Sequence, residues 1–334
     1  MKLVSFEHHG ADNLAILVKD KLYSIHELNP ALPSNMADFL KSGETVMNAA
    51  KQLDLEIKNN PENFKGLNYS EVKILAPVPH PTSCRDGYAF RQHVFAARRN
   101  RGVPMIPEFD QYPIFYFTNH NSICGPGNVS CMPDHFQKLD FELESAIVIG
   151  KKGRNIKAAD ADQYIAGYMI MNDLSARVLQ MDEMLLNLGP AKGKDFATSI
   201  GPWLVTPDEL EAFKVAPKEN HVGAQYKLEM TCSVNGIEVS RGNMADMDWT
   251  FAEIIERASY GVDIFPGDVI GSGTVGTGCF LELNGTGLLN NKDYKPQWLQ
   301  DGDKVVLEIT GLGSLENTMV KEASNWSIIN EYKK

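Results

Sequence analysis

Two glutamates separated by one residue, Phe141-Glu142-Leu143-Glu144, lead directly into the apolar run Ser145–Ile149. On an extended strand, residues i and i+2 share a face, so Glu142 and Glu144 point together while Phe141 and Leu143 point the other way. Two carboxylates on one face of a buried strand repel each other unless a cation lies between them. Oxygen ligands without cysteine or paired histidine select a hard divalent ion, Mg²⁺ or Ca²⁺, and admit Mn²⁺. A solvent-facing edge strand carrying two glutamates is the alternative this pattern leaves open.

Two further acids have the same character. Asp173 follows the apolar run Tyr168–Met171, where it is either a ligand or the N-cap of the next helix. Asp86, in Arg85-Asp86-Gly87-Tyr88, precedes a helix that carries His93. With the glutamate pair they make four carboxylates, enough for a divalent ion with positions left for water. A lone histidine such as His93 is usually structural. Glu282, however, sits in the apolar run Cys279–Leu283, read here as a strand, and an ionised glutamate there needs a partner. An imidazole oriented by a carboxylate is the usual general base for water.

Arg177 and Gln180 lie four and seven residues after Asp173, on one helical face. They fit an anionic substrate or, more plainly, a surface Arg–Asp pair. Lys192 and Lys194 follow in the glycine-punctuated loop Gly189–Phe196 and are candidates to enter the site. One motif is a decoy. Gly271-Ser-Gly273-Thr-Val-Gly276 fits the dinucleotide pattern G-x-G-x-x-G, which requires a helix immediately behind it. With a strand expected next, these glycines read as a sharp turn or a close approach to a ligand.

The elements that position these residues are mostly strands. Lys2–Phe6, Leu14–Val18 and Leu22–Ser24 open the chain, followed by helical Met36–Leu40 and Thr45–Leu53 and a polar linker over Lys58–Asn68. A boundary falls near residue 72, giving a small N-terminal domain, 1–72, and a catalytic domain, 73–334. In the latter, Ile114–Phe117, Phe141–Ile149, Tyr226–Val234, Val269–Ser272 and Val305–Ile309 have strand lengths and patterns. Helices are expected at Tyr88–Arg99, from Ala159, at Leu174–Leu188 and at Phe251–Ser259. Strands dominate without strict alternation, which predicts a β-rich α+β fold rather than a doubly wound parallel sheet.

Composition sets the outer limits. The chain has 334 residues and a formal net charge of −11, which argues against a nucleic-acid binder. No stretch approaches 18 apolar residues, so no membrane partner is expected. The five cysteines are an odd number without C-x-x-C, and the first residues lack a signal-peptide core. Both features predict reduced thiols in a cytoplasmic protein.

Taken in order, these segments resemble the fumarylacetoacetate hydrolase family over residues 73–320. Asp86-Gly-Tyr88-Ala-Phe-Arg91-Gln92-His93 is similar to the family's D-x-Y-x-x-R-Q-H, and Glu142-Leu-Glu144 to its E-x-E. Asp173-Leu-Ser-Ala-Arg177-Val-Leu-Gln180 is similar to D-x-S-A-R-D-x-Q, with Val178 in place of an acid. Gly193-Lys194-Asp-Phe196 resembles G-K-x-F, with a loop one residue longer that leaves Lys192 as a competitor. Pro266–Thr274 resembles P-G-D-x-I-x-x-G-T, and Phe280-Leu-Glu282-Leu the M-L-E-L segment.

The resemblance implies a mixed β-sandwich roll with a small N-terminal β-containing domain, acting as a homodimer. It implies a cation on Asp86, Glu142, Glu144 and Asp173, and a water-activating pair, His93 and Glu282. Arg177, Gln180 and Lys194 would stabilise an oxyanion. Tyr88, Tyr116, Thr274 and Arg101 would bind substrate, with Arg98 and Arg99 as alternatives to Arg101. The implied reaction is hydrolysis of a C–C bond in a fumarylacetoacetate-like diketo acid, as in aromatic amino acid catabolism. Decarboxylation, hydration or isomerisation of a related oxo-dicarboxylate is the alternative.

Overall fold

The computed structural model describes residues 1–333. Its main feature is a 12-stranded sheet. From one edge the strands run Leu67–Asn68, Lys21–Ser24, Ala11–Val18, Lys2–His8, Thr198–Val205, Ile165–Asp173, Leu143–Ile149, Val269–Gly271, Cys84–Gly87 and Phe115–Thr118. Lys73–Ile74 pairs with the first strand and Ile123–Cys124 with Thr198–Val205. Because Lys2–His8 pairs antiparallel with Thr198–Val205, hydrogen bonding runs unbroken from the N-terminal meander into the rest of the chain. The meander is covered by the helix Gly43–Asn59, which buries Ala50, Leu53 and Ile57 at helical spacing.

A second, five-stranded sheet runs Ile237–Asn243, Glu229–Val234, Lys304–Ile309, Gly313–Lys321, Gly127–Cys131. Its strand Glu229–Val234 alternates exposed or half-buried with buried positions, as expected of a sheet with one wet face. The central strands differ. Leu143–Ile149 and Ile165–Asp173 are buried at every position, which is why they read as continuous apolar runs. Phe141, Ile147, Tyr168, Phe251 and Leu307 belong to the core between the two layers. The strand-rich α+β expectation therefore holds.

One element is of the wrong type. The run Cys279–Leu283 is not a strand: a helix spans Phe280–Asn290. The short apolar run C-F-L-E-L mimics a buried strand, and Gly285 and Gly287 lower the apparent helix propensity. Both glycines are required by packing. A Cβ on Gly285 would lie 2.5 Å from the Asn100 amide, and one on Gly287 2.6 Å from the Tyr294 ring. Helix bounds also move. The expected Leu174–Leu188 narrows to Arg177–Met184, Tyr88–Arg99 starts at Arg91, and Thr45–Leu53 extends to Gly43–Asn59, into the expected linker. Among the described residues no helix is long and apolar enough to cross a membrane.

Candidate metal centre and active site

Three strands of the main sheet, and the residue just before one of them, bring the four acids together. Glu144 lies on Leu143–Ile149, Asp173 ends Ile165–Asp173, and Asp86 lies on Cys84–Gly87, joined to them through Val269–Gly271. Glu142 stands just before its strand, with its N–H donating to Asn172 Oδ1 at 3.1 Å. One oxygen from each of Asp86, Glu142, Glu144 and Asp173 lies within 4.8 Å of the others, and all four residues are buried. Asp173 is a strand residue and not a helix cap; the helix behind it has Ala176 at its N-cap.

Glycine makes the space. A Cβ on Gly271 would lie 2.5 Å from Asp86 Oδ1 and 3.0 Å from Glu144 Oε2. Gly273, at φ +79°, donates its N–H to Asp86 Oδ1 at 3.0 Å and to Glu144 Oε2 at 3.2 Å. A side chain there would collide with the Gly87 carbonyl at 2.6 Å. The G-x-G-x-x-G decoy is thus a close approach of backbone to carboxylates. A helix does follow it, contrary to the expectation, but its first amides, Phe280 N–H and Leu281 N–H, donate to Asp140 instead of opening onto a pyrophosphate.

The electrostatics fit a bound cation. Burial, then the neighbouring Asp173, raises the Asp86 carboxyl to about 7. Burial and the facing Asp86 push Glu144 well above the usual carboxylate range. Asp173 rises to about 6 through burial, which the Lys194 ammonium only partly offsets. Glu142 goes the other way: burial opposes its ionisation, but Lys194, Arg177 and His93 outweigh it. Three acids are thus held back from ionising where a divalent ion would ionise them. Asp173 Oδ1 is buried with no hydrogen-bond partner, an acceptor with a free lone pair inside the cluster. The oxygen-only donor set suits Mg²⁺, Mn²⁺ or Ca²⁺.

Beside this pocket stands His93, whose Nδ1 is 2.6 Å from Glu282 Oε2. Glu282 Oε1 accepts the Thr277 N–H at 3.0 Å, so the carboxylate is fixed from both ends. A ring nitrogen of His93, a Glu142 oxygen and the Cys279 sulfur lie within 4.8 Å of one another, which sets the imidazole against the acid cluster. Lys194, not Lys192, enters the pocket: its Nζ is 2.5 Å from Glu142 Oε2 and 2.6 Å from Asp173 Oδ2. Lys192 is exposed and pairs with Asp195 at 2.8 Å. Gly193 lets this loop lie on the helix, since a Cβ there would meet the Gln180 backbone at 2.5 Å.

Arg177 is 2% exposed and fully engaged. Its guanidinium donates to Asp140 Oδ2 at 2.8 Å, Gln180 Oε1 at 2.9 Å and Glu142 Oε1 at 2.8 Å. It is therefore a buried bracket for a carboxylate and not a surface ion pair. Thr274 Oγ1 donates to Glu144 Oε1 at 3.3 Å, and the Tyr116 hydroxyl to Asp173 Oδ2 at 2.5 Å. Tyr88 packs edge-on against the His93 ring with centroids 5.9 Å apart. Burial pushes its hydroxyl up to about 12 against the pull of Arg101.

The structure does not bring the arginines into the cluster. Arg101 donates to the Ala97 carbonyl at 3.1 Å, Arg99 to Thr286 at 2.8 Å, and Arg98 to the Pro104 carbonyl. Asp140, for which no local sequence pattern gives a signal, is fully buried and joins Arg177 to the helix carrying Glu282.

Fold and pocket define a class: a strand-rich protein whose buried carboxylates form a candidate pocket for a divalent cation. The family description "Fumarylacetoacetate (FAA) hydrolase C-terminal" matches residues 82–320. Oxaloacetate tautomerase FAHD2A, mitochondrial, of Homo sapiens is 33% identical over 307 residues, covering 89% of this chain and 83% of that protein. The fumarylacetoacetate hydrolase of psychrophilic Exiguobacterium antarcticum superposes with a TM-score of 0.69 at 24% identity, over 96% of this chain and 100% of that one. The maleylpyruvate hydrolase of Sphingobium sp. SYK-6, in complex with manganese (II) ion and pyruvate, gives 0.67 at 21% identity, over 96% and 99%. The chain belongs to the fumarylacetoacetate hydrolase family.

Proposed function

We propose that this protein is a divalent-cation-dependent enzyme that interconverts the keto and enol forms of a small 2-oxo dicarboxylate of the oxaloacetate class. The observation that carries this reading is the His93–Glu282 pair standing against an oxygen-only carboxylate pocket that also holds Lys194. The name of the human relative supports the substrate class.

A 2-oxo acid offers two adjacent oxygens, which suits hard oxygen-bound ions. Asp86, Glu142, Glu144 and Asp173 would hold the cation, which when bound supplies Lewis-acid polarisation of the 2-oxo group. His93 presents Nε2, because Nδ1 is taken by Glu282, removes the proton from the carbon beside the carbonyl and passes it, as imidazolium, to the enolate oxygen, the same transfers running backwards in ketonisation. Glu282 holds the ring and offsets the imidazolium charge. Lys194, buried between Glu142 and Asp173, faces the oxygen that gains charge and compensates the substrate's carboxylates. An acidic chain needs such local positive charge to keep an anionic ligand.

A second reading, hydrolysis of a C–C bond in a diketo acid, is favoured by the same pair, since a carboxylate-held imidazole is equally suited to taking a proton from water. Decarboxylation would need the cation but not the pair. The five free cysteines support a reducing compartment, as in the cytoplasm expected above, and the mitochondrial name of the human relative is compatible with the same redox condition.

The experiment is enol absorbance decay of oxaloacetate, run beside diketone loss in a panel of 3,5-dioxo and 2,4-dioxo acids, on Mn²⁺-loaded protein. His93→Asn is expected to slow enol decay by about a hundredfold or more with Mn²⁺ binding retained. Undiminished activity after exhaustive chelation refutes the cation's role, and faster turnover of a dioxo acid than of oxaloacetate selects the second reading.

A further inference from the structure

Asp140 makes an unusual number of contacts for a residue with no exposure. Its Oδ1 accepts the Phe280 N–H at 2.8 Å and the Phe141 N–H at 3.0 Å. Its Oδ2 accepts the Leu281 N–H at 2.9 Å and the Arg177 guanidinium at 2.8 Å. A buried carboxylate is tolerated when its lone pairs are filled in this way, and filling them leaves it one geometry.

The two sets of contacts lead to different halves of the site. Phe280 and Leu281 supply the first free amides of the helix Phe280–Asn290, and Asp140 accepts both from outside the helix, beside the Cys279 sulfur that accepts the Glu282 N–H. The third residue of that helix is Glu282, the partner of His93. Arg177, on the other side, donates to Glu142 Oε1 at 2.8 Å, in the cation pocket.

We propose that Asp140 is a positioning residue that locks the His93–Glu282 pair and the cation pocket to each other, through the amides of the helix Phe280–Asn290 on one side and Arg177 on the other. The inference rests on the functional reading of those two groups given above. An asparagine at this place fills the same volume but turns an N–H₂ toward either Arg177 or the helix amides, so one arm must open.

The test uses the full chain loaded with Mn²⁺, at a temperature where each variant is folded by circular dichroism. In Asp140→Asn, Mn²⁺ affinity is expected to fall about ten- to a hundredfold and kcat about tenfold. In a Glu282→Gln background the same change should cost less than about twofold in kcat, because the arm it acts through is already lost. A merely structural Asp140 would lower thermal stability and leave the Kd and kcat of the folded protein alone; that result, or full additivity with Glu282→Gln, overturns the proposal.

If Asp140→Asn yields no folded protein, Arg177→Lys replaces it. That variant keeps the charge and loses the fork, so Mn²⁺ binding should weaken about tenfold, and unchanged affinity overturns the proposal. A wild-type protein that neither binds Mn²⁺ nor turns over oxaloacetate defeats the functional reading instead. The positional claim is then read from the His93 ring ¹⁵N shifts, which should move in Asp140→Asn as they do in Glu282→Gln; shifts identical to wild type overturn it.

Discussion

Stripping divalent ions from this protein should make its stability fall as pH rises from 5 to 8. In the metal-free pocket, Asp86 at about 7 and Asp173 at about 6 both lie above the ordinary value of 3.8. For an acid whose folded value is raised, the folded state binds the proton more tightly than the unfolded chain does. Its contribution is therefore complete below pH 3.8 and is lost as pH climbs through 6 and 7. Linkage over this window gives a loss of roughly 3 kcal/mol from Asp86 and about 1 kcal/mol from Asp173, or about 4 kcal/mol together. With an unfolding entropy of about 2.1 cal/mol/K per residue, that is a drop of about 6 °C in Tm for a chain of this size. Glu142 does not cancel it, because its value is depressed and its window lies below 4.5.

The assay is thermal unfolding followed by fluorescence, in chelator and in saturating Mn²⁺, at half-unit pH steps. Groups outside the pocket titrate equally in both series, so the difference curve isolates the cluster. A bound ion takes the place of the protons, and at a hundredfold excess over Kd it adds about 2.7 kcal/mol of its own. The gap between the two series should therefore widen steadily with pH. Parallel curves across the whole range would mean that these carboxylates do not share a cation.

The substitution Gly271→Ala puts a Cβ 2.5 Å from Asp86 Oδ1 and should displace that ligand, weakening Mn²⁺ binding about tenfold or more by calorimetric titration; wild-type affinity would show the pocket to be roomier than its geometry implies. In the Mn²⁺-loaded protein, His135 should contribute to the acid limb. Burial lowers it from 6.5 to about 4, so the unfolded chain takes up a proton that the folded one refuses. Stability is then whole above pH 6.5 and falls by about 3 kcal/mol toward pH 4. His135→Gln should flatten that limb in urea titrations, and an unchanged slope would reassign it.

The acids of the pocket were legible because an i, i+2 glutamate pair at the head of an apolar run has few comfortable explanations. Asp173 and Glu282 were legible for the same reason, as isolated charges beside or within apolar runs, and Asp86 by its place just before the helix that carries His93. The helix Phe280–Asn290 was not, because Phe280, Leu281 and Leu283 mimic a strand, and the glycines that permit its packing against Asn100 and Tyr294 argue locally against a helix. Asp140 left no trace at all. Its partners are Arg177 and the amides of Phe280 and Leu281, and no spacing within Leu139-Asp140-Phe141 encodes a meeting with them. The roles of Arg98, Arg99 and Arg101 stayed undivided in sequence because adjacent helical positions point in different directions, which only the packing of the helix resolves.

The strands Cys84–Gly87, Leu143–Ile149 and Ile165–Asp173, which carry three of the clustered carboxylates, belong to the interior of one continuous sheet, while Tyr88 and the three arginines ride on the loop and helix that follow the first of them. Inter-strand pitch fixes the foundation, and the rim can be rebuilt without disturbing it. Exchanges along Arg98–Arg101, whose side chains bond to the Pro104 carbonyl, Thr286 and the Ala97 carbonyl, should thus leave the carboxylate floor as it is.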